Sequence, residues 1–342
     1  MKYITFFLAI ILVVGCTSQE KVKIGFIGTS DDAQNAKHGV ELAMQDMQLS
    51  NIKLVNEDSA CDSEQATIAV NKVIASDHVQ AIISALCDEA TLAAASTSDK
   101  QQIVFISVSS AVPETSETDD YVFRTMPSQD SEGKALAKLV FDKGNRDVAV
   151  LSSNDEYGHN LNESISSAFT FLGGRIVAAE AYDPGSTDVQ KPITKVKQAR
   201  PDAIAIIGNA QDSGAAIIEQ IYQLNIRAAL FGSEQLKSSG IASMSEGTMI
   251  TALSRGTSEF KERYAETYGE QPGLSAAQGY DAFKSIATAT QTASVTGEAL
   301  KDVISQIQFD SASGRIQFDE NHESTSDYDI FIVQDGSFVQ VG

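Results

Sequence analysis

The sequence predicts an α/β protein of two lobes, each a mostly parallel sheet flanked by helices. Three observations carry that expectation. Short apolar runs alternate with segments whose apolar residues recur at three- and four-residue spacing, the pattern of strands joined by crossover helices. The alternation pauses after Thr125 and restarts near Asp130. The length of 342 residues suits two domains better than one.

Val22–Gly28 reads as the first strand, and Ala36, Val40, Ala43, Met44 and Met47 mark one face of the helix after it. Ile52–Glu57 is the second strand, followed by a helix striped by Ala66, Ala69, Val70, Val73 and Ile74. Ala81–Ile83 with Leu86 is an apolar run expected to be buried on both faces of a parallel sheet. Asp88 stands where a helix N-cap belongs, ahead of the Ala-rich Thr91–Ser96. A strand running straight into a helix start leaves unpaired N–H groups at the sheet's C-terminal edge, where open α/β folds bind ligands. Ile103–Ile106 is the fourth strand, Glu114–Asp120 an acidic loop, and Tyr121–Thr125 an extended segment leading to a first crossing at Met126–Pro127.

The second half repeats the theme. Helices are expected over Asp130–Lys143, Leu161–Phe171, Val189–Gln198 and Ser213–Leu224, with Gly173 and Gly174 closing the second. Strands are expected over Val148–Leu151, Arg175–Ala181, Ala203–Ile207 and Ala228–Phe231. Met249–Leu253 reads as a return crossing. Helices over Glu259–Tyr268, Ala276–Thr290 and Glu298–Gln306 follow, then strand-like Arg315–Phe318, Tyr328–Val333 and Phe338–Val341.

Composition bounds function. Forty-six acidic against 25 basic residues, a net charge of −21, argues against nucleic acid and against a polybasic membrane face. Gly25 and Gly28 lack the G-x-G of a dinucleotide site, and no phosphate loop, zinc-protease spacing or nucleophile elbow is present. His38, His78, His159 and His322 are scattered and read as surface residues. No enzyme, metal or cofactor is expected.

The N-terminus is basic at Lys2 and apolar from Ile4 to Val14, a run about half the length that spans a bilayer. Val13, Val14, Gly15 and Cys16 resemble the lipobox of prokaryotic lipoproteins. That resemblance implies a signal peptide over 1–15 and diacylglycerol on Cys16, with 16–21 a short spacer and the membrane reached through lipid. Cys61 and Cys87 then remain. In an exported chain the leftover pair reads as one disulfide, the alternative being two reduced, buried thiols.

Several stretches in order resemble the branched-chain amino-acid-binding proteins of ABC importers, which have the type I periplasmic-binding fold. They are Glu57–Asp62 with Leu86 and Cys87; Ile106–Ser110 with Pro113; Tyr121–Thr125; Asp155–Gly158; Pro201–Ile204; Gly279–Ala282; and Gly314–Asp319. The resemblance implies a disulfide between Cys61 and Cys87. It implies a ligand carboxylate held by Asp88 and the loop Ser109, Ser110 and Ala111, and an ammonium held by that loop and Glu234. Tyr157 would form a wall, with Asn209 at the turn after Ile207. It departs from the family at Asp88 and Ala111, where hydroxyl residues are usual, and in a shorter first loop, Thr29–Gln34.

The implied protein is an extracytoplasmic solute-binding lipoprotein that captures an amino acid or amine-bearing solute and passes it to an ABC permease. Its lobes would be 22–125 with 254–325 and 126–253 with 326–342, joined by crossings near Thr125, Leu253 and Thr325. A ligand-sensing receptor domain for an amide, polyamine or other small solute is the alternative.

Overall fold

The computed structural model describes residues 22–28, 31–110, 120–210, 213–237, 239–292, 297–325 and 327–341. The leader, Cys16, Ala111, Pro113 and the start of the first loop lie outside the described residues.

The first lobe is a five-stranded sheet, entirely parallel, in the order β2-β1-β3-β4-β5. Its strands are β1 (Val22–Gly28), β2 (Ile52–Glu57), β3 (Ala81–Ala85), β4 (Val104–Ser107) and β5 (Val122–Arg124). All five residues of β3 are buried, as expected for a central strand covered on both faces. One face packs against α1 (Asp31–Asp46) and, from the far end of the chain, α10 (Ala276–Thr292) and α11 (Gly297–Gln306). The other face packs against α2 (Ser63–Ala75) and α3 (Asp88–Lys100). The α1 and α10 backbones meet closely: a Cβ on Gly39 would fall 1.9 Å from the Ala276 carbonyl oxygen, and one on Gly279 2.2 Å from that of Ala36.

The second lobe is a seven-stranded sheet in the order β14-β13-β10-β9-β8-β6-β7. It comprises β6 (Asp147–Ser153), β7 (Arg175–Tyr182), β8 (Ala203–Ile207), β9 (Ala229–Gly232), β10 (Met249–Leu253), β13 (Tyr328–Gln334) and β14 (Ser337–Gln340). Helices α4 (Gln129–Asp142) and α5 (Glu156–Phe171) cover one face. Helices α6 (Gln190–Ala199) and α7 (Gly214–Gln223), with the short α8 (Ser239–Ala242), cover the other.

Two expectations need correction here. Met249–Leu253 is a fully buried strand, parallel to β9 and antiparallel to β13; the crossing begins at Ser254, whose N–H donates to the Asp327 carbonyl at 3.0 Å. His38 and His322 are packed, not free surface groups. His38 stacks on Tyr268 at 4.0 Å, and His322 is buried, stacking on Phe123 at 4.2 Å.

A hairpin of β11 (Gln308–Ser311) and β12 (Gly314–Gln317) follows α9 (Ser258–Tyr268), α10 and α11. It is seated by Asp281 of α10, a buried carboxylate that accepts from Ala312 N at 2.9 Å, Ser313 N at 3.1 Å and the Ser313 hydroxyl. Burial pushes that carboxyl up to about 6 even against those donors.

The chain passes between lobes after β5, β10 and β12. At the first and third passages Glu323 gathers donors from both sides: Arg124 Nη2 at 3.2 Å, Ser128 N at 2.8 Å, Ser128 Oγ at 3.0 Å and Ser131 Oγ at 2.7 Å. Arg124 and residues 322–324 also bond through the backbone, Arg124 N to His322 O at 2.9 Å and Ser324 N to Arg124 O at 2.8 Å.

Candidate functional site

The residues singled out in the sequence follow the C-terminal ends of parallel strands. In the first lobe they lie after β3 and β4, which are neighbours, so their loops meet. Ser109 Oγ donates to the Leu86 carbonyl at 2.8 Å, and Ser110 Oγ donates to Asp88 Oδ1 at 2.7 Å. Asp88 is not the N-cap. Cys87 holds that position with φ −65° and ψ 161°, and makes no side-chain cap because its sulfur is bonded to Cys61, Cα to Cα 5.5 Å. Asp88 is the first helical residue. Its carboxylate lies at the positive end of α3 and is exposed. Ser110, by contrast, is buried.

In the second lobe, β6, β8, β9 and β10 run parallel side by side. The segments that follow them carry Tyr157 (in the first turn of α5), Asn209, Glu234 and Arg255 along one edge. Asp155 caps α5, accepting from Gly158 N at 2.8 Å. Gly158 is needed here, since a Cβ would fall 2.2 Å from the Ser153 carbonyl oxygen. That tight first turn aims Tyr157. Burial raises the Asp155 carboxyl, but bonds from Gly158, Ser153 and Asn209 outweigh it and hold it below the usual range. Asn209 is committed there: its side chain donates to Asp155 at 2.5 Å and its N–H to Ser153 Oγ at 3.0 Å.

Tyr157 and Glu234 converge on a residue that sequence reasoning missed. The Tyr157 hydroxyl donates to Glu132 Oε2 at 2.8 Å, and the charge of Glu234 is close enough to act on Glu132. Glu234, in a turn of 3-10 helix (Glu234–Leu236), pairs with Arg255 Nη2. Burial pushes the Glu132 carboxyl up to about 7; the Tyr157 hydroxyl opposes this, and Glu234 adds to it. Burial, then the Glu132 charge, raises the Tyr157 phenol. Tyr328, at the start of β13, is raised by burial and by Glu132, Glu323 and Glu234.

Glu132 escaped notice because an acid in a helix's first turn reads as a partner of the helix dipole. Arg255 was hidden in a segment read as connection. Asp88, Ser109 and Ser110 are thus brought together, as are Tyr157 and Glu234, while Asn209 braces the turn beside them. Among the described residues no group of His, Cys, Asp and Glu could hold a metal ion. None of the described helices is long and apolar enough to cross a membrane.

The chain matches the periplasmic binding protein family over residues 21–337. A leucine-, isoleucine-, valine-, threonine- and alanine-binding protein of Pseudomonas aeruginosa is 24% identical over 276 residues, 77% of this chain and 73% of that one. The chain spans only 53% to 58% of the length of further curated relatives, among them leucine-specific-binding proteins. An ABC transporter substrate-binding protein of Desulfitobacterium hafniense, solved in complex with Leu, superposes with a TM-score of 0.76 at 22% identity, covering 94% of this chain and 100% of that one. A solute-binding protein of Rhodopseudomonas palustris, in complex with benzoate, superposes at 0.66 and 17% identity, covering 94% and 96%. These likenesses establish the type I periplasmic-binding fold. The chain belongs to the periplasmic binding protein family, a family of binding proteins and not of enzymes.

Proposed function

We propose that this chain captures an amino acid or related small amine-bearing solute between its lobes and delivers it to an ABC permease. The observation that supports the reading is where the loops sit. Those after β3 and β4 in one sheet, and after β6, β8, β9 and β10 in the other, all leave the C-terminal ends of parallel strands, the edge at which open α/β sheets bind ligands. Asp88, Ser109 and Ser110 would present one wall, and Tyr157, Asn209 and Glu234 the other. The names of the relatives favour branched-chain amino acids, while the benzoate complex raises an aromatic acid as the competing ligand. The carboxylates of Glu132 and Glu234 oppose a solute that carries only a carboxylate, by about 1 kcal/mol or more at protein-like dielectric. Closure over the solute would let a permease tell loaded from empty protein.

Thermal-shift titration with amino acids, putrescine and benzoate tests this. Stabilisation by amino acids is expected; stabilisation by benzoate alone would reject the reading. Cys16 would anchor the chain by lipid to the outer face of the membrane. Cys16→Ala should then move the protein to the soluble fraction, and unchanged partitioning would reject the anchor.

A further inference from the structure

We propose that Glu132 is a specificity-determining residue of the cleft, sharing the solute's ammonium with Glu234 and restricting capture to amino acids over aromatic acids and simple diamines. The inference rests on the solute-capture reading above and goes beyond it by naming a residue and the chemistry it selects.

The charges in this wall do not balance. The described groups that face Glu132 are the Tyr157 hydroxyl from α5, the Glu234 carboxylate from the turn after β9 and Tyr328 from β13. Two are phenols and one is a like charge. The cation nearest Glu234, Arg255, is already its ion-pair partner. Lys237, which also feels Glu234, lies over the Phe331 ring at 3.4 Å. On Glu132's own helix, Lys134 pairs with Asp130 at 2.5 Å. The Glu323 carboxylate at the hinge is taken by Arg124 and the two serines. Among the described residues no cation pairs with Glu132.

A second gap lies beside the first. Arg255 Nη1 is buried and finds no acceptor among the described residues. Buried polar groups are ordinarily satisfied, so the wall is short of one cation and one oxygen acceptor together. An amino acid brings both, benzoate only the oxygen, putrescine only the cation. The rings of Tyr157 and Tyr328 keep the place partly dry, which strengthens a charge contact there and offers a π-face to an ammonium.

The test uses calorimetry on the purified protein with its best-binding amino acid, and with benzoate and putrescine, in two buffers of different ionisation enthalpy at pH 7. Wild type should release roughly half a proton on binding the amino acid, because the ammonium ionises a carboxyl that is about half protonated at that pH. Glu132→Gln should weaken amino-acid binding by about tenfold or more and abolish the proton release, without weakening benzoate. Tyr157→Phe removes the hydrogen bond that favours the ionised carboxyl, so proton release should rise; this variant keeps the test sharp should Glu132→Gln fold poorly. Amino-acid affinity within about twofold of wild type and an unchanged proton count in Glu132→Gln would overturn the proposal while leaving solute capture standing. Wild type that binds benzoate but neither an amino acid nor putrescine would overturn both, and wild type that binds putrescine but no amino acid would overturn the proposal alone.

Discussion

Two Arg–Glu pairs hold this molecule in opposite ways. At the hinge, Glu323 has donors on both oxygens: Arg124 on one, and Ser128 N, Ser128 Oγ and Ser131 Oγ on the other. At the wall of the second lobe, Glu234 has Arg255, whose Nη1 remains unmatched among the described residues, and the neighbouring Glu132 has a single phenol. A buried carboxylate with a full set of donors is a rigid structural joint. One with a partial set is under electrostatic stress, and that stress is relieved by whatever brings the missing charge. The Glu323 carboxylate is completed by the chain itself, whereas in the proposed reading the carboxylates of the wall are completed by a solute.

The largest effect that would break this contrast is at the hinge. Glu323→Ala removes the ion-pair partner of the buried Arg124 and the acceptor shared by Ser128 and Ser131, so about 3–5 kcal/mol of stability should be lost in urea unfolding. A loss under about 1 kcal/mol would mean that the joint is not structural.

The wall should behave with the opposite sign. Glu132's carboxyl is raised from 4.5 to about 7 by burial first, with Glu234 adding and Tyr157 opposing. The folded state therefore binds that proton more tightly than the unfolded chain does. The cost is absent below about pH 4.5, grows from there to about pH 7, and is constant above. Glu132→Gln should stabilise the ligand-free protein by about 1–2 kcal/mol at pH 8 and by almost nothing at pH 4.5. Equal unfolding free energies of the two proteins at pH 8 would remove the stress on which the comparison depends.

The smallest effect is expected in the first lobe. Asp88 is exposed and already accepts the Ser110 hydroxyl. Asp88→Ser should change amino-acid affinity by no more than about 1 kcal/mol. A tenfold loss measured by calorimetry would place Asp88 among the selecting residues beside Glu132.

What was legible in the sequence followed from local patterns. The apolar run Ala81–Ile83 announces a buried strand because the run is apolar on both faces, and the three- and four-residue spacing of α1 and α2 announces helices that cover a sheet. Tyr157 and Gly158 were marked by resemblance, and the reason is local too: Gly158 alone permits the turn packed on Ser153. Met249–Leu253 was misread because a short apolar run between loops carries no sign of its sheet neighbours; β13, which pairs with it, comes some eighty residues later. The β11–β12 hairpin was missed at its first strand because Gln308–Ser311 alternates half-buried and exposed and is too polar to stand out.

The sequence by itself determined the layered α/β architecture, because period and length are properties of the chain read one segment at a time; cysteine count left Cys61 and Cys87 either bonded or reduced, and the structure bonds them. Only the tertiary structure decided which carboxylates are satisfied. Glu132, Glu234 and Glu323 look alike in sequence, each an acid beside serines in a turn or at the start of a helix. Packing brings Arg124, Ser128 and Ser131 onto Glu323 and leaves Glu132 facing two phenols and a like charge. Charge balance in a desolvated site depends on distances between segments from 21 to 199 residues apart, and no local pattern encodes those.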